Sequence, residues 1–189
     1  MKNKKILVGI VILIAVAAIF LFLKKNSIPG EENRPAENIS WNDLLPQAEE
    51  VIKQKFGGEN LRQIGIYEEG DITGDGIPEA LVYTGLGGAY TDQLVLMIME
   101  NQKPAFAKFK EKNGNISGLV FLSGSSVRHG ELVEMIPEDK AVYSASWSMS
   151  ESGEMEECLV DVYLWNGYLF EYSDVLSGGS EQALCKELY

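Results

Sequence analysis

The chain has 189 residues and a formal net charge of −12, with two cysteines and one histidine. This length predicts one domain with a substantial hydrophobic core. The charged residues within 1–25 are all lysines, so the acidic excess lies in the remainder. An acidic domain lacks the positive surface that phosphate recognition requires, which excludes general nucleic-acid binding. One histidine and two cysteines also exclude a multi-histidine or four-cysteine zinc site within one chain.

An apolar run from Ile6 to Leu23 contains 18 consecutive residues without a polar side chain. As a helix it spans about 27 Å, close to the roughly 30 Å hydrocarbon core of a bilayer. Lysines flank the run on both sides, and the positive-inside rule predicts a cytoplasmic N-terminus with the remaining chain outside. A cleaved signal peptide is the alternative, because Ala15-Val16-Ala17 matches a small-residue cleavage site. The apolar run continues past this site, which favours an uncleaved single-pass anchor.

The sequence divides into three segments, which are a transmembrane signal-anchor over 1–25, a linker over 26–39 and an extracytoplasmic domain over 40–189. The linker contains two prolines and a glycine without an apolar period. Ser40 has the position of an N-cap, and apolar residues follow at helical spacing as far as Phe56. Gly57 and Gly58 predict the end of this amphipathic helix.

Strand character begins at Leu61 and continues to about Tyr172. Alternating apolar residues predict strands near 61–68, 79–86, 92–100, 103–111, 117–123, 131–136, 141–149, 157–165 and 168–173. Asn166-Gly167 predicts a hairpin with a two-residue type I′ turn. Ser180 and the apolar residues after it predict a short closing helix. The predicted fold class is therefore α+β: a mainly antiparallel β-sheet meander with an N-terminal amphipathic helix and a short C-terminal helix, preceded by a transmembrane helix.

The stretch from Gly70 to Glu79 concentrates oxygen side chains and glycines in a short loop. Calcium takes about six to eight oxygen ligands, and alternate residues of a tightly wrapped loop point toward one centre. The predicted ligands occupy loop positions one, three, five, seven and nine, and they are Asp71, Thr73, Asp75, the carbonyl of Ile77, and Glu79. Gly76 lies at position six, where the chain must turn sharply. The alternative is a metal-free turn rich in turn-forming residues.

This loop, the following ALVYTG, the glycine turn at Gly87-Gly88 and the segment DQLVLMIM together resemble one FG-GAP/VCBS-type repeat over about residues 70–99. Such repeats carry an Asp-x-Asn-Gly-Asp-Gly-x-x-Asp calcium loop between strands and occur in integrin-like propellers and bacterial surface proteins. The resemblance implies the same five calcium ligands. Thr73 replaces the usual Asn and Glu79 the usual Asp, and both replacements keep an oxygen.

Cys158 lies in a predicted strand and Cys185 in the predicted closing helix. In a chain exported from the cytoplasm, an even pair predicts a disulfide. Two buried free thiols are the alternative.

A serine-hydrolase site would have to use His129, the only imidazole, with Ser123, Ser125 or Ser126 as the nucleophile. No Gly-x-Ser-x-Gly motif occurs, so we expect no catalytic site. Aromatic residues concentrate in the last hairpins, where most should form cross-strand core pairs and a minority could line a surface for sugar or protein.

The sequence predicts a single-pass membrane protein whose domain uses a structural calcium loop for binding or scaffolding at the cell surface. The expected partners are the membrane, through the N-terminal helix, and a protein or glycan ligand. Two alternatives remain open: a carboxylate-using envelope hydrolase in which calcium stabilises the fold, and an accessory or inhibitor subunit of an envelope protein.

Overall fold

The computed structural model describes residues 40–58, 61–126, 128–179 and 185. This part of the chain is mostly β-sheet, with 51% strand and one α-helix. The predicted α+β class is therefore wrong, because sheet residues supply most of the core and the helix covers only one face. The closing helix predicted within 180–189 lies outside the described residues, apart from Cys185.

The predicted transmembrane helix and the single-pass membrane location are also corrected. Among the residues that the structure describes, no helix has the length and apolar character needed to cross a bilayer. The apolar run over 6–23, the anchor segment and the linker all lie outside the described residues.

The first element of the described residues is the helix α1, which comprises Trp41–Phe56. Ser40 has extended backbone dihedral angles, and its side chain accepts a hydrogen bond from the Asn42 N–H at 3.3 Å. This satisfies one of the N–H groups that a helix leaves unpaired at its start. The helix ends at Gly57, whose φ of 83° suits a residue without a Cβ. Both predicted ends are confirmed.

Eleven strands follow in the described residues, and each predicted strand segment overlaps at least one of them. They are β1 (Gly65–Gly70), β2 (Glu79–Gly87), β3 (Thr91–Glu100), β4 (Lys103–Phe106), β5 (Phe109–Lys110), β6 (Ile116–Ser117), β7 (Phe121–Ser125), β8 (His129–Ile136), β9 (Ala141–Met149), β10 (Met155–Trp165) and β11 (Phe170–Tyr172). A short 3-10 helix, Pro137–Asp139, joins β8 to β9.

The strands form one sheet in the order β1-β2-β3-β7-β8-β9-β10-β11-β5-β6, with β4 paired to β3 beside this path. The predicted meander is therefore wrong, because β7 pairs with β3 and β11 pairs with β5, and neither pair is consecutive in the chain. The described pairings are antiparallel except β5 with β11, which run parallel, with Phe109 opposite Phe170. Side chains from strands far apart in this order, such as Leu81 of β2 and Phe109 of β5, pack in one core, so the sheet is curled.

The turn between β10 and β11 differs from the prediction. Trp165 pairs with Phe170, so four residues rather than two connect the strands. The Asn166 side chain accepts hydrogen bonds from the N–H groups of Tyr168 and Leu169, both at 3.0 Å. This Asx-type arrangement organises a longer loop than the Asn-Gly pair alone predicts.

The core has a central part inside the curled sheet and two outer parts. The central part contains Leu81, Leu94, Phe109, Phe121, Val142 and Phe170. On the opposite face of β2 and β3, α1 buries Trp41, Ala48 and Ile52 against Ala80, Val82, Val95 and Met97. The third part lies behind β9 and β10 and contains Ala145, Val160 and both cysteines.

The structure joins Cys158 and Cys185 in a disulfide, as predicted. Both residues are buried, and their Cα atoms are 6.0 Å apart, a normal separation for this bond. The bond fixes residue 185 to the outer face of β10.

We expect loss of this disulfide to destabilise the protein substantially. The two cysteines are 27 positions apart, and closing a loop of this size stabilises the folded state by about 3.5 kcal/mol in the chain-entropy model. Chemical denaturation of a Cys158→Ser, Cys185→Ser variant measures the loss, with the reduced wild-type protein as a second comparison. A change below about 1 kcal/mol would contradict a structural role.

Candidate functional site

The predicted calcium loop connects β1 to β2, where Gly70 pairs with Glu79 across the two strands. The chain therefore leaves the sheet at Gly70 and returns at Glu79, in agreement with the predicted strand that starts at residue 79. This geometry holds both ends of the loop on the rigid sheet. The loop lies beside α1, because the Trp41 indole N–H donates to the Pro78 carbonyl at 2.6 Å.

Asp71 organises the turn of the loop. Its Oδ1 accepts hydrogen bonds from the N–H groups of Gly74 at 2.7 Å and Asp75 at 3.2 Å, and its Oδ2 accepts from Gly76 at 2.9 Å. Three successive N–H groups thus converge on one carboxylate. Asp75 makes a smaller turn of the same kind, accepting from the Ile77 N–H at 2.8 Å. The backbone wraps around the side chain at loop position one.

Glu79 closes the loop from the inside. Its side chain is buried, and Oε2 accepts hydrogen bonds from the N–H groups of Ile72 at 3.0 Å and Thr73 at 3.1 Å. The Thr73 hydroxyl donates to Oε1 at 3.3 Å. Burial raises the pKa of the Glu79 carboxyl to about 7, and the negative charges of Asp75 and Asp71 add to this rise against the opposing effect of the two N–H donors.

The five predicted calcium ligands are thus in one loop, and the structure uses four of their side chains in hydrogen bonds within it. In the described residues no group of three or more His, Cys, Asp or Glu side chains is arranged as a metal site. The donor set nevertheless suits a hard cation. Each carboxylate has about four lone-pair sites, and the bonds described leave at least one unused on Asp71, Asp75 and Glu79.

One lysine lies against this loop. A Cβ placed on Gly74 would come within 2.6 Å of the Lys140 Nζ, so the ammonium group rests on the glycine. Lys140 follows the 3-10 helix and has a left-handed conformation, with φ of 52°. Its positive charge therefore lies next to the loop at Gly74.

A second candidate site is an open groove on the inner face of the sheet. Along β9, the inward residues change from apolar Val142 to Ser144, Ser146 and Ser148. Small side chains at these positions leave unfilled the space that larger apolar residues fill in the core. We call the resulting cavity the β9 groove; its main part has a volume of about 590 Å³, which is typical of ligand sites.

The neighbouring strands line the β9 groove with acidic groups. Glu131 of β8 lies opposite Ser146, Glu157 of β10 lies opposite Ser148, and Asp161 of β10 lies opposite Ser144. Glu131 also lines an adjoining cavity of about 260 Å³, together with Asp161. The described residues that line the two cavities include no lysine or arginine. The groove is therefore an acidic surface.

Glu131 has an unusual environment within this groove. Its Oε2 is buried and has no hydrogen-bond partner among the residues that the structure describes. A buried unpaired polar atom costs about 1–3 kcal/mol, and more when the group is charged. A ligand that donates a hydrogen bond to this carboxylate would remove part of that cost.

Apolar and aromatic side chains complete the groove. Leu159 lies between the two acidic residues of β10 and is 51% exposed, and Tyr90 at the rim is 69% exposed. On the opposite face of the sheet, the Trp147 ring packs directly over Gly130, where any Cβ would overlap it. The groove thus combines negative charge with exposed apolar surface.

The β9 groove was not predicted from the sequence. The alternation Val142-x-Ser144-x-Ser146-x-Ser148 is its visible signal, but alternation alone does not tell which face of a strand lies inside. His129 lines this groove. The hydroxyl of Ser126, one of the predicted nucleophile positions, accepts from the His129 backbone N–H at 3.3 Å.

The aromatic residues of the last hairpins divide between core and surface. Tyr163 is buried in the central core, and Trp165 and Tyr172 pack partly against it. Tyr168 is exposed.

Comparison of the chain with known protein families, with curated proteins and with solved structures found no match.

Proposed function

We propose that this chain is a binding domain whose loop from Asp71 to Glu79 holds a structural calcium ion. The observation that supports calcium best is the wrapping of three N–H groups around Asp71, with the buried Glu79 at the other end of the loop. A cation beside these carboxylates would favour the ionised form of Glu79, which burial alone disfavours.

The proposed ligands are the side chains of Asp71, Thr73, Asp75 and Glu79 and the carbonyl of Ile77. Calcium would link residues near the end of β1 to the first residue of β2 and so rigidify their connection. The binding role rests on the β9 groove, whose size and mixed lining are typical of ligand sites. The disulfide is typical of proteins that fold in an oxidising compartment.

Calcium is expected to raise the thermal unfolding midpoint of the full chain. A ligand at a hundred times its Kd stabilises the native state by about 2.7 kcal/mol, or roughly 5–10 °C for a domain of this size. Asp75→Asn keeps an acceptor for the Ile77 N–H but removes one charge, so it should reduce the shift. Asp174→Asn, an exposed position outside the loop, is the matched control and should leave it unchanged.

Lys140→Ala tests the same site in the opposite direction. Removing a positive charge that rests on the loop should lower the Kd for calcium. Calorimetric titration with calcium compares the Kd of the wild-type protein with that of Asp75→Asn, which should be higher, and that of Lys140→Ala, which should be lower. If millimolar calcium shifts neither the midpoint nor the calorimetric signal of the wild-type protein, the loop is a metal-free turn.

A further inference from the structure

We propose that the β9 groove binds an extended basic segment of a partner protein, in which two lysines or arginines stand four positions apart with an apolar residue midway. The inference rests on the binding role proposed above and does not depend on calcium. It follows from the charge of the groove, the order of its side chains and the buried, unpaired Oε2 of Glu131.

Charge selects a basic partner. Glu131, Glu157 and Asp161 contribute three carboxylates, and no lysine or arginine is present among the described lining residues. A partner of opposite sign is attracted and oriented by such a surface, whereas an acidic partner is repelled. Tyr90 adds an aromatic face, which also attracts ammonium and guanidinium groups.

The order of side chains on β10 selects an extended chain. Its groove-facing residues alternate as acid, apolar, acid: Glu157, Leu159 and Asp161. Two positions along a strand advance about 6.6 Å, so the two acidic residues are separated by roughly 13 Å along the strand. An extended peptide has the same spacing, and its residues i, i+2 and i+4 face one side. The sequence Lys-x-Leu-x-Lys therefore complements this strand residue by residue.

Glu131 supplies a further acceptor opposite this row. It lies across Ser146 from Leu159, in the middle of the groove, and its buried Oε2 lacks a partner in the described part of the chain. A basic side chain or a backbone N–H of the bound segment would pair with this carboxylate. Pairing this buried oxygen contributes more to affinity than pairing an exposed one.

The direct test is fluorescence anisotropy of the full chain with labelled five-residue peptides. Lys-Ser-Leu-Ser-Lys has the proposed spacing, Ser-Lys-Leu-Lys-Ser has the same composition with the charges two positions apart, and Ser-Ser-Leu-Ser-Ser is neutral. We expect the first peptide to bind most tightly, with an affinity that falls as salt increases. Unlabelled spermine is added as a competitor that offers amines without a peptide backbone.

Variants of the protein locate the binding surface. The combined change Glu157→Gln, Asp161→Asn should raise the Kd of Lys-Ser-Leu-Ser-Lys about tenfold. Glu131→Gln should also weaken binding. Glu138→Gln, an exposed position on the 3-10 helix outside the groove, is the charge-matched control and should bind as wild type does. Thermal unfolding of each variant verifies that it is folded.

The outcomes separate this inference from the proposed function. Equal binding of the neutral and basic peptides would overturn the charge argument but leave the binding role standing. Equal binding of the two basic peptides would overturn the proposed spacing of the two basic residues. If spermine displaces the peptide at a concentration close to the Kd of the peptide, the groove recognises amines without a peptide backbone, which would overturn a peptide as the occupant. Absence of binding by all three would overturn the inference, while the calcium titration decides the loop independently.

Discussion

Replacement of Trp41 by alanine should lower the free energy of unfolding by about 3–5 kcal/mol, the range for truncating a fully buried aromatic residue. Trp41 is 0% exposed. Its indole N–H donates to the Pro78 carbonyl at 2.6 Å, and its backbone N–H donates to Glu69 at 3.2 Å. The substitution removes packing between α1 and the sheet and leaves the Pro78 carbonyl without its donor.

Chemical denaturation of Trp41→Ala, Trp41→Phe and wild type separates the contribution of aromatic packing from that of the indole hydrogen bond. Phenylalanine keeps an aromatic ring but cannot donate, so it should lose less than alanine does. Asn42→Ala, at the exposed neighbouring position, is the control and should remain within about 0.5 kcal/mol of wild type. Because Trp41 holds the residue before Glu79, Trp41→Ala should also weaken the proposed binding of calcium. A loss below 1 kcal/mol would show that α1 does not pack on the sheet as described.

Truncation of Phe109 is the second substitution with a large expected effect. Its ring stacks on Phe170 with centroids 5.1 Å apart and meets the edges of Phe121 and Tyr163, each at 5.3 Å. Phe109→Ala should cost about 3–5 kcal/mol, because it opens a cavity in the central part of the core. Denaturant titration measures the loss.

Exposed Tyr168→Ala is the control for Phe109→Ala and should change stability by at most about 0.5 kcal/mol. A double-mutant cycle with Phe109→Leu and Phe170→Leu should give a coupling of about 0.5–1.5 kcal/mol, the usual value for an aromatic pair. Strict additivity of the two changes would contradict direct stacking of the two rings.

The features that local sequence determines were predictable. The helix ends at Ser40 and Gly57 follow from a capping side chain and a glycine, and both act within a few residues. The bounds of β9 agree with the predicted 141–149 because its alternation is uninterrupted. The Cys158–Cys185 pairing was accessible because only two cysteines exist.

Features that depend on distant partners were not predictable. The segment predicted as one strand over 103–111 is divided, because β4 pairs with β3 while β5 pairs with β11. No property of residues 107–108 alone specifies that change of partner. Loop spacing predicts the proposed calcium ligands, but the inward orientation of Glu79 and the contact of Lys140 with Gly74 depend on the fold around the loop. The β9 groove depends likewise on which face of β9 lies inside.

The parallel pairing of β5 with β11 has a consequence for folding during synthesis. Lys110 and Glu171 are 61 positions apart in the chain, so the ribosome needs roughly 3–12 s to make the second after the first, at about 5–20 residues per second. During that interval α1 and β1–β4 can already assemble, since their contacts are nearer in sequence. Phe109 has no Phe170 to stack on until β11 emerges. For several seconds, therefore, the Phe109 ring can contact Phe121 but lacks its stacking partner, and the edge of β5 that pairs with β11 stays open.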